Sequence, residues 1–300
     1  MKMNKLYISS CLAASLLICS CDDFLNLEPL DAQTEAVYFK TPEHFQQAAN
    51  NLHANVYGWQ ANEELANANN TYGLIFDQGT DIVSAGHDAL NGTNAAGTTD
   101  VYWEQMYKWL RVVNELIAKS TEYSNPDEIV TPVGQAYFFR AWHHFMLLKR
   151  FGGVPIVNEV ATENSNIVWG PRASRYEVVK QIIDDLDIAI TKLAGATVVT
   201  TNNDGHVTIE AAKAFKARVC LFAGTWDKYV GTTTDGDGVN EGGGSNKPSG
   251  YPSVSDFLTM AKALSKDIID AGTFELWKGV EDVSVGTVAN SGLYAHTSYY

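Results

Sequence analysis

The chain has 300 residues, 45% hydrophobic and 19% charged, with 21 Lys+Arg against 35 Asp+Glu and a formal net charge of −14. That is enough chain to bury a sizeable core, and it is too apolar for a disordered protein. The acidic balance argues against a nucleic-acid partner, which requires a Lys/Arg-rich face to displace counterions.

Residues 1–20 read as an export signal. Lys2 and Lys5 form a positive start, and Leu6 to Ile18 is an apolar stretch too short to span a bilayer. The stretch ends in Ile18-Cys19-Ser20-Cys21, an arrangement like a bacterial lipobox in which Cys21 carries the acyl chains. Its removal takes away two lysines and no acids, so the net charge of the remaining chain moves from −14 to −16. Acyl chains on one cysteine bury about 0.8 kcal/mol per methylene, enough for stable anchoring when several chains are present. Of the four cysteines, Cys220 is then left alone, with no disulfide framework for an exported protein.

Residues 21–40 form a tether containing Pro29, and residues 41–300 a helical domain. Thr41-Pro42 is a helix start, with Thr as N-cap and Pro at the first position. Phe45, Ala49, Leu52, Val56 and Trp59 recur at steps of three and four, one apolar helix face. Residues 62–100 are rich in Asn, Gly, Thr and Asp and read as loop. Trp103, Met106, Leu110, Val113 and Ile117 mark a second helix, with Trp103 on its core stripe. Asn125-Pro126 interrupts the chain. Val133, Ala136, Arg140, His144, Leu148 and Phe151 mark a third helix, stopped by Gly152-Gly153 and Pro155.

Ser174 with Glu177 is a capping box for a fourth helix, which Gly195 closes. Thr208 opens a fifth, through Ala212, Phe215, Val219, Phe222 and Trp226. Residues 231–250 are a Gly-rich loop, and Ser253 to Ala271 is a sixth helix on Phe257, Ala261, Leu264 and Ile268. The expected fold class is therefore all-α: tetratricopeptide-like helical hairpins, an α–α superhelix with long irregular loops.

One stretch is more specific than periodicity. Gly134-Gln135-Ala136-Tyr137-Phe138-Phe139-Arg140-Ala141-Trp142-His143-His144-Phe145, followed by Lys149-Arg150-Phe151-Gly152-Gly153-Val154-Pro155-Ile156, resembles the SusD/RagB family of outer-membrane nutrient-uptake lipoproteins. Cys21-Asp22-Asp23-Phe24-Leu25, Pro171-Arg172-Ala173-Ser174 with Ile183-Asp184-Asp185-Leu186, and Ala211 to Gly224 match in the same order. Family members are usually longer, so the chain resembles their N-terminal portion, with the helical domain incomplete at its C-terminal side.

The resemblance implies a lipid-anchored, surface-facing outer-membrane protein that captures a glycan and passes it to a SusC-like, TonB-dependent transporter. Glycan capture needs an aromatic platform plus amides and carboxylates for hydroxyls. In the family, part of that surface comes from the loop before the second helix. Here that loop offers Tyr72, Asp77, Asp81, His87, Asn91, Asn94 and Tyr102, but no tryptophan outside the core stripe. Trp226, Tyr229 and Tyr251 flank the Gly-rich loop as a second candidate surface. A peptide ligand and a helical-repeat adaptor without small ligand are the alternatives.

Arg140 is expected to reach a carboxylate or helix carbonyls of the neighbouring hairpin, and Asp184-Asp185 to be a solvated face or an Arg partner. His143 and His144 point about 100° apart on a helix and are read as one surface and one core histidine. Asp235, Asp237, Asn240 and Glu241 have calcium-like spacing without an EF-hand pattern and read as a flexible insertion. No Gly-x-Ser-x-Gly, phosphate-loop or His-Glu-x-x-His motif is present, so no enzyme, cofactor or metal is expected.

Overall fold

The computed structural model describes residues 38–53, 99–195, 205–230 and 247–274. Six long helices carry the described fold: α1 (Pro42–His53), α2 (Val101–Glu122), α3 (Val130–Phe151), α4 (Arg175–Leu193), α5 (Ile209–Tyr229) and α6 (Val254–Ala271). No strand occurs among the described residues. A 3₁₀ turn at Pro126–Ile129 and a short helical turn at Asn166–Trp169 lie between them.

The helix starts follow local chemistry. The Thr41 carbonyl accepts from His44 and Phe45, and Pro42 fills the first position, where an N–H would have had no helical partner. The Asp100 side chain accepts from Trp103 N, and that of Thr208 from Ala211 N. Ser174–Glu177 and Ser253–Asp256 are complete capping boxes. The helix ends are equally local. At Gly152 φ is +71° and its N–H bonds Leu148 O, while Gly272 closes α6 in the left-handed conformation. Gly195 does not act this way: α4 ends at Ala194, in right-handed conformation, and Gly195 follows without a positive φ.

Successive helices pack as antiparallel neighbours. Asp100 and Asn114 of the α2 end and body meet Arg150 and Arg140 of α3. Gly134 faces Leu193, and Arg140 faces Asp185, across α3 and α4. Asp187 meets Lys216 across α4 and α5; Gly224 faces Phe257 across α5 and α6. The expected helical hairpins are thus present. α1 lies over α3 as well as α2, through Gln46–Gln135 and the ring contact His53–Phe139 at 4.8 Å.

Burial identifies the middle layer. α3 buries residues around its whole circumference, including Phe138, Phe139, Arg140, His143, His144 and Leu148. A helix covered on every side belongs inside, and it accepts charge there only with partners. α6 buries only Phe257 and Ala261 and is an outer helix. Leu110, Phe145, Ile182, Leu186, Phe215 and Val219, from α2 to α5, all lie within one continuous core. Each such large side chain contributes about 1.5–3 kcal/mol on burial. Cys220 is a free thiol inside that core, pushed up to about 11 by burial, which makes it unreactive. No described helix is long and apolar enough to cross a membrane.

The two histidines depart from expectation. His143 and His144 are both fully buried. α3 has neighbours on opposite faces, so a 100° offset does not bring either ring to water. His144 donates from Nδ1 to Arg140 O at 2.9 Å, because its Nε2 accepts from Val157 N at 3.2 Å. His143 has no hydrogen-bond partner at either nitrogen. Burial holds the two rings down, at about 3 for His143 and about 4 for His144, so both are neutral.

Candidate functional site

The structure places one of the sequence candidates for the loop before α2, and it lies in the first turn of that helix and not in a loop before it. Tyr102 is the one that falls among the described residues. Tyr72, Asp77, Asp81, His87, Asn91 and Asn94 lie outside them, as do Cys21, Val56, Trp59 and Asp235 to Glu241.

Around Tyr102 the geometry is well defined. Asp100 caps α2 with one oxygen, 3.0 Å from Trp103 N, and accepts from Arg150 Nη2 at 2.9 Å with the other. Arg150 Cζ stands 5.2 Å over the Tyr102 ring and 5.7 Å over that of Phe151. Trp103 packs edge-on against Phe151 at 5.0 Å and tilted against Tyr107 at 4.9 Å. Trp103 is partly buried against the core, in line with its place on the apolar stripe.

Electrostatics follow from this arrangement. Burial pushes the Asp100 carboxyl up, but the Trp103 N–H and the Arg150 guanidinium outweigh it and hold the group below its ordinary value. Burial pushes the Tyr102 hydroxyl up to about 12 against the pull of Arg150, so it stays a hydrogen-bond donor. A partly buried aromatic ring beside a carboxylate and a guanidinium can bind hydroxylated ligands. It holds no nucleophile paired with a base. Among the described residues no group of three or more His, Cys, Asp or Glu could hold a metal.

What holds this end in place is the irregular segment after α3. Arg172 donates to Phe151 O and Gly153 O, and Ala173 N bonds Val154 O at 3.1 Å. Tyr107 Oη donates to Pro155 O at 2.9 Å, and His144 Nε2 receives Val157 N. Asn114 Nδ2 reaches both Val157 O (2.9 Å) and Glu159 O (3.0 Å); Arg140 Nη1 reaches Asn158 O (2.9 Å) and Arg111 Nη1 reaches Ala161 O (3.2 Å). A non-helical segment packed against the core must satisfy its polar backbone somewhere, and here side chains of α2, α3 and the α4 approach do it. Gly152 and Pro155 of the sequence motif set the path, and Arg140 and His144 of the same motif hold it.

Arg140 is the centre of that network. Its Nε and Nη2 bond Asp185 Oδ2 and Oδ1 at 3.0 and 2.6 Å, and its Cζ lies 4.8 Å over the Tyr137 ring. Burial pushes the Asp185 carboxyl up, against the pull of Arg140 and Gln181. The expected carboxylate partner is therefore Asp185, while Asp184 pairs with Lys180 at the surface. Arg140 is structural: it is shut inside and its donors are used.

Two other features stand apart from Tyr102. A groove between α1 and α2 is lined by Tyr38, Phe39, Ala48, Asn51, Val112 and Glu115, about 15–20 Å from Tyr102 along α2 by helix rise. The second sequence candidate, Trp226 with Tyr251, is drawn into the α4–α5–α6 packing: Arg175 stacks on Trp226 at 3.8 Å, and Tyr251 meets Tyr176 and Phe257 at 5.2 Å. Tyr229 remains exposed. Sequence reasoning missed Trp169, the most exposed of the described large hydrophobic residues. Its signal was a Trp-Gly-Pro run directly before the capped start of α4.

Comparison with known proteins gives a consistent result. Residues 23–221 match the family model SusD-like, described as starch-binding associating with outer membrane. The chain is similar to SusD-like protein P2 of Formosa agariphila, 25% identical over 183 residues, covering 58% of this chain and 35% of that protein. It is also similar to SusD-like protein P38 of the same organism, 28% identical over 137 residues, covering 46% of this chain and 26% of that one. The chain thus spans well under half the length of either relative. In fold it is similar to a SusD-like carbohydrate-binding protein of Bacteroides fragilis, with a TM-score of 0.57 at 17% identity over 83% of this chain and 45% of that one. A SusD-superfamily protein of Bacteroides thetaiotaomicron gives 0.53 at 17% identity, over 79% and 48%.

Proposed function

Because the chain belongs to the SusD-like family, a family of starch-binding, outer-membrane-associated proteins and not of enzymes, we propose that it captures glycan at the outer membrane. In this reading residues 1–20 are an export signal, Cys21 is acylated, residues 21–40 are a tether and the domain from 41 onward holds the ligand. The glycan is handed to a SusC-like, TonB-dependent transporter. The observation that carries the proposal is the family match across residues 23–221. The surroundings of Tyr102 support it: a ring, a carboxylate and a guanidinium stand together at the start of α2, and in this reading Tyr72, Asp77, Asp81, His87, Asn91 and Asn94 add to that surface.

Affinity electrophoresis against a panel of neutral and acidic polysaccharides, beside calorimetry with a peptide mixture, tests the ligand class. Retardation by a glycan is expected. Heat with peptides and no retardation by any glycan would assign the protein to peptide capture instead. Palmitate labelling that persists in Cys21→Ser would refute the anchor, and failure to co-purify a TonB-dependent transporter from native membranes would count against the delivery step.

A further inference from the structure

Trp169 is 79% exposed, yet it is not a loose side chain. Its indole N–H donates to Glu163 O at 2.9 Å, which fixes the ring plane against its own loop. That loop is built. Ser165 N bonds Thr162 O at 3.0 Å, and Ser165 Oγ receives Thr162 N at 2.9 Å. Ile167 packs onto the core. Gly170 sits where a Cβ would lie 2.8 Å from Asn166 O, so the turn after the tryptophan closes only without a side chain. Single exposed apolar residues are ordinary on protein surfaces. A tryptophan whose edge is bonded and whose face is left to water is a different case, because the bond sets the direction in which that face is offered.

Its loop is also linked to the candidate site. Three residues on, Arg172 donates to the carbonyls of Phe151 and Gly153. Phe151 in turn touches Trp103 at 5.0 Å and Tyr102 at 6.5 Å. Three residues span at most about 11 Å between Cα atoms, so the loop of Trp169 is tied through Arg172 to the C-terminal end of α3, against which Tyr102 also packs. The exposed side chains of its loop include Glu163, Asn164 and Asn166, a carboxylate and two amides. The one charged residue within 162–170 is acidic, and Arg172 is occupied by the two carbonyls.

We infer that Trp169 is a stacking platform for a neutral glycan, with Glu163, Asn164 and Asn166 receiving its hydroxyls. A pyranose presents an apolar C–H face to an indole, while amides and a carboxylate match its hydroxyl rim. An acidic sugar would meet only like charge here. Trp169 supplies a tryptophan, which the stretch from Tyr72 to Tyr102 does not contain. The inference rests on the family reading of glycan capture and adds to it a residue on a separate loop.

The test uses the full chain, with Trp169→Ala, Trp169→Phe and Gly170→Ala. Wild type is first screened by affinity electrophoresis against neutral and acidic polysaccharides and a peptide mixture. With a neutral polysaccharide that retards wild type, Trp169→Ala should weaken binding about tenfold, as loss of one well-placed stacking contact does. Trp169→Phe should lie between the two. Gly170→Ala, which keeps the indole but forces the turn open, should also weaken binding. Unchanged far-ultraviolet circular dichroism controls for folding. Wild type and Trp169→Ala retarded equally by the glycan would overturn this inference alone. Wild type retarded by no glycan, or bound by peptides instead, would overturn the reading beneath it.

Discussion

Arg140 on α3 and Asp185 on α4 face each other through two parallel hydrogen bonds, 3.0 Å from Nε and 2.6 Å from Nη2, both inside the protein. The remaining nitrogen joins Asn114 on α2 and the Asn158 carbonyl. One guanidinium thus links three helices and the segment after α3. Removing one partner of a buried pair leaves the other charge without compensation, at a cost of about 3–5 kcal/mol. Arg140→Ala and Asp185→Asn should each lower stability in urea denaturation by that order. Arg140→Lys should recover only part of it, since one ammonium cannot reproduce the planar fork.

His143 and His144 give a pH signature. Their folded values, about 3 and about 4, lie below the ordinary 6.5. The unfolded chain therefore takes up protons first, and stability is complete above pH 6.5 and falls as pH drops toward 4. Each histidine contributes a slope of about 1.4 kcal/mol per pH unit within that window. His143→Phe should flatten the slope without loss at pH 7, because His143 makes no hydrogen bond. His144→Phe should cost about 1–3 kcal/mol even at pH 7, because it strips the partner from Val157 N. Denaturation midpoints between pH 4.5 and 8 distinguish the two.

Gly224 tests the closest approach between α5 and α6. A Cβ there would lie 2.9 Å from Phe257 Cβ, an atom fixed by its own backbone. Alanine gains about 1 kcal/mol of helix propensity over glycine, but overpacking costs about 1–3 kcal/mol. Gly224→Ala should therefore destabilise. Gly195→Ala, with nothing within 4 Å and no positive φ, should be neutral or slightly stabilising. Thermal melts of the two variants give the comparison.

Tyr102 separates ring from hydroxyl. If its ring faces a sugar, Tyr102→Ala should weaken glycan binding about fivefold, the equivalent of ~1 kcal/mol of stacking. Tyr102→Phe should stay close to wild type. Calorimetric titration with the retarding polysaccharide reads both.

The helices were legible because their signals are local. Thr41-Pro42, Ser174 with Glu177, Thr208 and Ser253 each mark a start within one turn of the residues they cap. Arg140 could be assigned a carboxylate partner because a charge on so apolar a helix must find one, and Asp185 was already in view. His143 was misplaced because periodicity reports one face, whereas α3 is covered on all of them. The ties on Pro155, Val157 and Asn158 span 18 to 48 residues of sequence, except for the shorter reach from His144, and no local pattern announces them. Trp169 lay in a stretch without any period, and its fixed ring depends on a turn that only the backbone geometry displays.

The stretch from Phe151, the last residue of α3, to Ala161 has one more consequence, for cooperativity. Stacked helical hairpins touch only their neighbours, so such arrays can lose their units one at a time. Here Tyr107, Asn114 and Arg111 of α2, Arg140 and His144 of α3, and Arg172 before α4 all grip the same eleven-residue stretch. Peeling away any one helix exposes polar backbone that the others still hold. The front of the stack, α2 through α4, should then melt in a single step, and amides of Val157 and its neighbours should exchange with solvent as slowly as those of the helices around them.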